Sequence, residues 1–417
     1  MDANQLKALM EKWAPVLDTT DAPAIVGQEK RIATAVMLEN TEKDAQATQQ
    51  VLAEDATNNT SGIADHTPVL ISMIRRAAPQ LLPFDLMGVQ PLAQPSGLIF
   101  AMRSRYTDKN GPEALFNEAD SDFSGAATPQ QAGTNPAVLA DSTPGSYTAG
   151  TGLEKSIGET LGGSGPAFGT MALTVEKVTA TAVTRALKTG YTAEFAQDLK
   201  SLHGLDADSE MSRMLSSEII AETNRECVRT LYRAAKIGAQ DATVAGTFDL
   251  DQDANGRWLA ERHKGLMFQI MRESNAVAQQ TRLGNATFVL ASADVVAALA
   301  MIGQLDYSQA GASLTVDQAN VTFAGTLKNG LKVYVDPFSG VSAGNEQFAM
   351  VGYKGQSPFA AGYFYSPYVP LTMVRTIDPT TMTPIMAYRT RYALTAHPFF
   401  GASNNPCYRL FRVRNVQ

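Results

Sequence analysis

The 417-residue sequence predicts an α+β fold with a helical arm ahead of it and a core-poor finger set into it. Three observations carry the prediction. Residues 192–237 hold the strongest helical signal in the chain. After Gly246, helix-type and strand-type segments alternate, and residues 362–400 read as aromatic-rich antiparallel strands joined by Pro-Thr turns. Between two strand-like stretches, 98–106 and 171–188, the chain nearly abandons large side chains. Of the 63 residues from Thr107 to Gly169, 38 are Gly, Ala, Ser, Thr or Pro.

Each element has a local reason. Residues 1–54 predict two helices, "NQLKALMEKW" and "QEKRIATAVMLENTEKDAQATQQVLAE". Their apolar faces (Leu6, Leu9 and Trp13; Ile32 and Val36) are too thin to make a core without a partner. Residues 55–67, "DATNNTSGIADHT", have linker composition, and 68–87 are helix-compatible but broken by Pro79 and Pro83. The Thr/Val alternation of 171–188 suits a half-buried strand. Two strands joined by so long a connection form a hairpin too thin to fold alone, so the finger must lie against something else. Thr192 is placed to cap the helix "AEFAQDLKSL", Gly204 to end it, and Asp206 or Asp208 to cap the next. There Met211, Leu215 and Ile219 fall four apart, with Ile220, Cys227 and Leu231 on a neighbouring stripe. Further on, "RWLAERHKGLMFQIMRESNAVAQQT" and "ADVVAALAMIG" read as helices, and "ATFVLAS", "GLKVYVDP" and "QFAMVGYKG" as buried strands.

Composition narrows the function. With 44% hydrophobic and 18% charged residues this is a folded chain, long enough for two or three lobes. The N-terminus lacks the apolar run of a secretory signal, and no apolar stretch is long enough to cross a bilayer. Cys227 and Cys407, far apart in sequence, fit a reducing cytoplasm and no disulfide framework. The net charge is −7, and residues 107–169 alone hold eight acids and two lysines. DNA phosphates would repel such a segment.

Catalytic patterns are weak. His66, His203, His263 and His397 have no partner at metal-ligand spacing, and the expectation is no metal and no cofactor. "GTGLEKS" at 150–156 resembles a phosphate loop but lacks the glycine before Lys155, and "GGSGPAFG" fails the dinucleotide spacing. The pair Asp206/Asp208 and the run Asp249/Asp251/Asp253 offer carboxylates. "DLDQDANG" lacks the later bidentate acid of a calcium loop and reads better as a capping turn before Trp258. A chain this long without a catalytic constellation points to work done by surfaces, and no catalytic residue is assigned.

The blocks "FDLMGVQPL", "GLIFAMRSRY", "YTAEFAQDLKSLHGLDADSEMSRMLSSEIIAETNRE", "GRWLAE", "VGYKG" and "GYFYSPYVPLTMVRTIDP" occur in this order over residues 66–417. Together they resemble the major capsid proteins of T-even-like contractile-tailed bacteriophages, least so through 107–169. The resemblance implies the shell fold of tailed phages and herpesviruses. Mapped here, that fold gives an N-terminal arm at 1–65 and a peripheral domain beginning at 66–97. An extended loop follows at 98–188, then the spine helix of the peripheral domain at 189–247. An axial domain at 248–356 and peripheral return strands at 357–417 complete it. The sequence departs from the family in its shorter extended loop and in His397, where the resemblance would place an asparagine.

The function this implies is a structural protein, not an enzyme, whose hexamers and pentamers tile an icosahedral head around phage DNA. Expected partners are other copies of the chain, a scaffold and a maturation protease during assembly, and a portal and decoration proteins. Packaged DNA would be touched weakly and membrane not at all. The location would be the virion, assembled in the host cytoplasm. Rival readings are a vertex-only pentameric paralogue, a bacterial encapsulating compartment, and a hydrolase using the 249–253 carboxylates. The resemblance also implies removal of the arm after a glutamate in an Ile/Leu-x-Glu context. Leu52-Ala53-Glu54, at the junction of helical arm and linker, makes Glu54–Asp55 the candidate bond, the alternative being an arm kept as a permanent clamp on neighbouring subunits. Leu9-Met10-Glu11, Ile157-Gly158-Glu159 and Leu259-Ala260-Glu261 match the tripeptide without that setting.

Overall fold

A computed structural model of the chain describes residues 3–18, 25, 27–53, 81–126, 130–133, 148–254, 256, 258–303, 305–306, 322–338, 347–357, 359–378, 380–381 and 383–416. The linker at 55–67, the segment 68–80, His66 and the Glu54–Asp55 bond lie outside these residues. The chain divides into two compact units, one of residues 1–99 and 178–417 and one of residues 100–177.

The larger unit opens with two helices, α1 (Ala3–Leu17) and α2 (Gln28–Ala53). Their existence follows the sequence; their surroundings do not. Ala33 to Leu38 are six consecutive buried residues, which a helix achieves only when it is covered on opposite sides. The apolar face looked thin because alanines carry it: Ala33 and Ala35 make little hydrophobic pattern but let neighbours approach closely.

After a short turn, α3 (Pro83–Leu86), the chain forms β1 (Gly88–Val89) and then β2 (Ser96–Tyr106) and β3 (Met171–Thr181), which pair as a two-stranded ribbon. Between them lies one helical turn, α4 (Lys155–Gly158). The stretch 171–188 predicts one strand and yields two. The backbone N–H of Ala182 turns aside to the Pro95 carbonyl, and β4 (Val183–Gly190) restarts in another sheet, against β13 (Pro384–Ala396). That sheet runs β1-β12-β13-β4, with β12 spanning Tyr363–Ile377.

The long helix α6 (Ala207–Ala234) follows α5 (Ala193–His203), which the Thr192 hydroxyl caps and Gly204, in the left-handed region, ends. Leu215 and Ile219 of α6 pack on Leu371, Met386 and Tyr388 of the β12–β13 sheet, as their four-residue spacing predicts. Two to three turns on, Cys227, Val228 and Leu231 enter a different core with Phe84, Tyr365 and Tyr408.

The second sheet is larger. Its strands are β5 (Ala235–Ile237), β6 (Thr247–Asp249), β7 (Phe288–Ser292), β8 (Leu305–Asp306), β9 (Thr322–Leu327), β10 (Lys332–Asp336), β11 (Gln347–Gly352) and β14 (Asn405–Arg414). They run β5-β14-β11-β7-β10-β9-β8, with β6 also bonded to β14. Helices α7 (Leu259–Thr281) and α8 (Ala293–Met301) bury Leu266, Ile270, Val295 and Leu299 on it. The last strand therefore does not return to the sheet of β12 and β13. It is inserted beside β11, in a sheet built mostly from 235–352.

Candidate assembly surfaces

In the smaller unit, the strands alternate in a way that leaves apolar groups in water. The Thr107 N–H donates to the Thr170 carbonyl at 2.7 Å, and the Thr174 hydroxyl donates to the Arg103 carbonyl at 3.2 Å. Partner numbers fall as strand numbers rise, so β2 and β3 are antiparallel. Side chains alternate between faces along each strand. Phe100 and Met102 on β2 therefore share a face with Met171, Leu173 and Val175 on β3. All five are exposed, Met102 by 69% and Leu173 by 61%. An apolar stripe of this kind on a subunit marks a surface meant for contact.

Among the described residues of 100–177, Ala114 alone is buried. What holds the unit together is polar and local. Arg103 pairs with Glu113 at 3.2 Å, and Arg105 donates to the Gly111 carbonyl at 2.8 Å. A Cβ at Gly111 would lie 1.8 Å from the Tyr106 carbonyl oxygen, so only glycine closes this turn. Tyr106 stacks on Phe123 with centroids 4.5 Å apart. Asp122 accepts from the Gln131 N–H at 3.0 Å. The neighbouring Asp120 carboxyl is pushed up by its contact with Asp122, whose own pKa is drawn down. An apolar hollow lined by Phe123, Leu153, Ile157, Leu161 and Phe168 opens on this unit.

The larger unit is pinned by charges at its helices. Asp336, wholly buried at the end of β10, takes two bonds from Arg225 at 2.8 and 2.9 Å and one from the Tyr232 hydroxyl at 2.7 Å. Arg185 on β4 reaches Glu222 at 3.1 Å and Glu226 at 2.8 Å, and Tyr392 donates to Glu226. Glu273 of α7 meets Arg409 of β14 with both side chains nearly inaccessible. A second apolar hollow, on this unit, is lined by Phe195, Met211, Met214 and Ile385. Sequence reasoning missed these pins. Each joins residues more than thirty positions apart, and nothing in local spacing marks them.

The carboxylates singled out from sequence are occupied. Asp253 accepts from the Thr243 N–H and hydroxyl and from the Asp249 N–H, and these bonds, acting against partial burial, hold its pKa below the usual range. Asp251 pairs with Arg262, and Asp249 accepts from the Asp251 N–H and the Asn415 amide. The loop is thus a turn locked by its own acids. The cap of α7 is Glu261, which accepts from the Trp258 N–H. Asp206 flanks α6 without a side-chain cap, and Asp208 binds Tyr191 and Arg375.

The histidines are scattered. His203 is exposed, His263 is buried against the Val416 carbonyl at 3.2 Å, and His397 packs among Phe364, Phe399 and Phe400. Cys227 and Cys407 are free and buried, and burial pushes both thiols up, Cys407 to about 12. Lys155 stands exposed on the single turn α4 with no strand leading into it, so 150–156 does not form a phosphate cradle. Among the described residues no helix is long and apolar enough to cross a membrane.

Comparison with known proteins gives a consistent result. A family model described as Major capsid protein Gp23 matches residues 63–413. The Major capsid protein of Salmonella phage ViI is 37% identical over 404 aligned positions, covering 94% of this chain and 90% of its own length. That of Enterobacteria phage T4 is 31% identical, with 94% and 91% covered. The Capsid vertex protein of the same phage is 28% identical over 229 positions, covering 52% of this chain and 50% of its own. Among solved structures, the capsid of Myoviridae phage XM1 aligns over 80% of this chain and 92% of its own, with 10% identity and a TM-score of 0.42, too loose a likeness to carry weight.

Proposed function

The chain belongs to the Gp23 major capsid protein family and builds a phage head shell, and on that premise we propose that it does so as hexamers and pentamers. Its place is the virion capsid, and its primary partner is itself. The observation that carries the assembly reading is the exposed apolar face of the β2–β3 ribbon, on a unit with one buried residue among those described. Covering a surface like that removes apolar area from water and favours association. Contacts that close rings are heterologous, so the ribbon of one copy meets a different patch on the next. The hollow lined by Phe195, Met211, Met214 and Ile385 offers an apolar patch of that kind.

We propose the family mapping for its parts: arm 1–65, peripheral segments 66–97, 189–247 and 357–417, extended loop 98–188 and axial domain 248–356, with β14 of the last peripheral segment lent to the sheet built mostly from 235–352. The separately packed unit 100–177 supports the extended loop, and the 28-residue α6 supports the spine. A scaffold, a maturation protease and a portal act during assembly in the host cytoplasm, decoration proteins bind the finished shell, and DNA is touched weakly. The candidate bond for removal of the arm is Glu54–Asp55, directly after the end of α2 at Ala53. A shell role is favoured over a vertex-only role by the longer and closer match to the major capsid proteins. The chain has no catalytic role of its own; its 249–253 carboxylates are consumed by backbone and Arg262.

Electron microscopy of the chain co-expressed with its scaffold tests the reading, and shells or capsomers are expected. Dispersed monomers under those conditions would overturn it. Intact-mass measurement of virion protein settles processing, with a chain starting at Asp55 expected and one starting at residue 1 or 2 refuting it.

A further inference from the structure

We infer that the larger unit carries a binding groove for a helical hairpin, that residues 3–43 are its resident ligand, and that this ligand stays bound when the chain joining it to the rest is severed. The inference stands apart from the shell reading and from where nature cuts.

The helix α2 is covered on two faces. Lys30, Ala33, Met37 and Asn40 are spaced three or four apart and share one stripe. Ala33 is fully buried in the cluster that includes Phe84, Leu86, Val89 and Tyr365. Met37 lines a narrow hollow with Ile219, Tyr365, Pro367 and Leu371. Asn40 places its one amide nitrogen on two backbone carbonyls from different segments, Leu92 at 2.8 Å and Tyr368 at 2.9 Å. Salt bridges close the helix start, Lys30 to Asp85 at 3.1 Å and Lys354 to Glu29 at 3.2 Å.

The opposite stripe of α2 closes the hairpin on itself. Ala35 packs with Leu17, Ile25, Met10 and Trp13. Glu39 accepts from Lys12 at 2.8 Å and from the Trp13 indole N–H at 3.3 Å. The hairpin therefore has its own internal seam and a separate, chemically varied outer face. Apolar burial, a paired amide and two salt bridges on that face make a recognition surface of the helix-in-groove kind. None of those contacts needs the covalent link through 54–80.

A cut in the connection consequently turns an intramolecular contact into a peptide complex. Release of the hairpin then needs a second event, a competitor for the groove or a rearrangement of α6 against β12. Until then the stripe of Tyr365, Pro367 and Leu371 stays covered.

The test uses the full chain with a site-specific protease sequence replacing residues 56–62. It is folded intact, held under non-assembling conditions, cut, and run on size exclusion at micromolar concentration with mass identification of each peak. The hairpin fragment is expected to co-elute with the body and to separate only in denaturant. Asn40→Leu strips both carbonyls of their donor and is expected to weaken retention about ten- to a hundredfold. Lys43→Gln, an exposed position, leaves retention unchanged. A parent fragment that elutes alone overturns the inference, and so does an Asn40→Leu fragment retained as tightly as the parent. Hydrogen exchange of the uncut chain supplies an independent reading: amides of 33–38 should be protected like those of β12, and fast exchange there refutes the groove. Failure of the shell reading would show in particle formation, which none of these measurements involves.

Discussion

Asp336 has no exposed side-chain surface, and its carboxylate is satisfied by Arg225, Tyr232 and the Phe338 N–H. Arg225 and Tyr232 sit two turns apart on α6, so one acid fixes the rotation of the long helix over β10. Asp336→Ala takes the shared acceptor from the half-buried Arg225 guanidinium and the Tyr232 phenol and should cost about 2 kcal/mol, read by urea unfolding of the unassembled subunit. A loss below about 1 kcal/mol would mean that water replaces the carboxylate freely. Glu39 makes a second, pH-dependent case. Its hydrogen bond from Lys12 outweighs partial burial, and with help from Trp13 it lowers the carboxyl below its ordinary value. A lowered folded pKa gives stability that is fully present above the unfolded value, about 4.3, and is lost as pH falls through the folded value. The α1–α2 seam should therefore loosen in acid below about pH 4. Trp13 fluorescence in a Trp258→Phe background reports it, and Glu39→Gln should flatten that acid limb. A seam equally acid-sensitive in the variant would assign the effect to another carboxylate.

At the scale of elements, the ribbon separates stability from assembly. Phe100→Ser, Met102→Thr and Leu173→Thr together remove exposed apolar groups, so subunit stability should shift by no more than about 0.5 kcal/mol per site. Shell yield, counted by electron microscopy, should collapse. A drop of about 2–4 kcal/mol per site would show instead that these side chains are core. The same ribbon shows what sequence made legible. A short strand-like stretch in "GLIFAMRSRY" and the period-two alternation of 171–188 located both strands, and the scarcity of large residues between them announced a unit without a core. The four-residue stripe Met211-Leu215-Ile219 likewise gave α6 and its buried face. Sequence failed where long-range pairing decides. The break at Ala182 is made by a hydrogen bond to Pro95, and β14 joins β11 across more than fifty residues. The burial of α2 was hidden because alanine packs well yet contributes little to a hydrophobic pattern. The carboxylates of 249–253 form a turn but do not cap α7 as sequence predicted, since Glu261 does that, and the Asp253 bonds to Thr243 were out of reach of any local rule.

For the molecule as a whole, the division into residues 100–177 and the remainder separates two jobs. Among the described residues, the larger unit holds nearly every buried side chain and both sheets of more than two strands, and the smaller contributes Ala114. Folding free energy grows with apolar area removed from water, so it resides almost entirely in the first. Assembly free energy must then draw on surface the folded subunit leaves exposed, and the smaller unit is rich in it. Replacing residues 112–165 by a short Gly-Ser link tests this partition. The replacement removes Ala114, the Tyr106–Phe123 contact and the Arg103–Glu113 pair, all of which lie within residues 100–177. A soluble subunit is expected, with a cooperative unfolding midpoint within a few degrees of the parent, because a shift of about 1 kcal/mol moves a chain of this size by only about 2–4 °C. Assembly with scaffold should fail or give fragile shells, since the chain loses contact surface without losing its fold. A subunit that melts cooperatively at a much lower temperature would place residues 112–165 in the folding core. Shells as robust as the parent's would remove the finger from the interfaces that hold the head together.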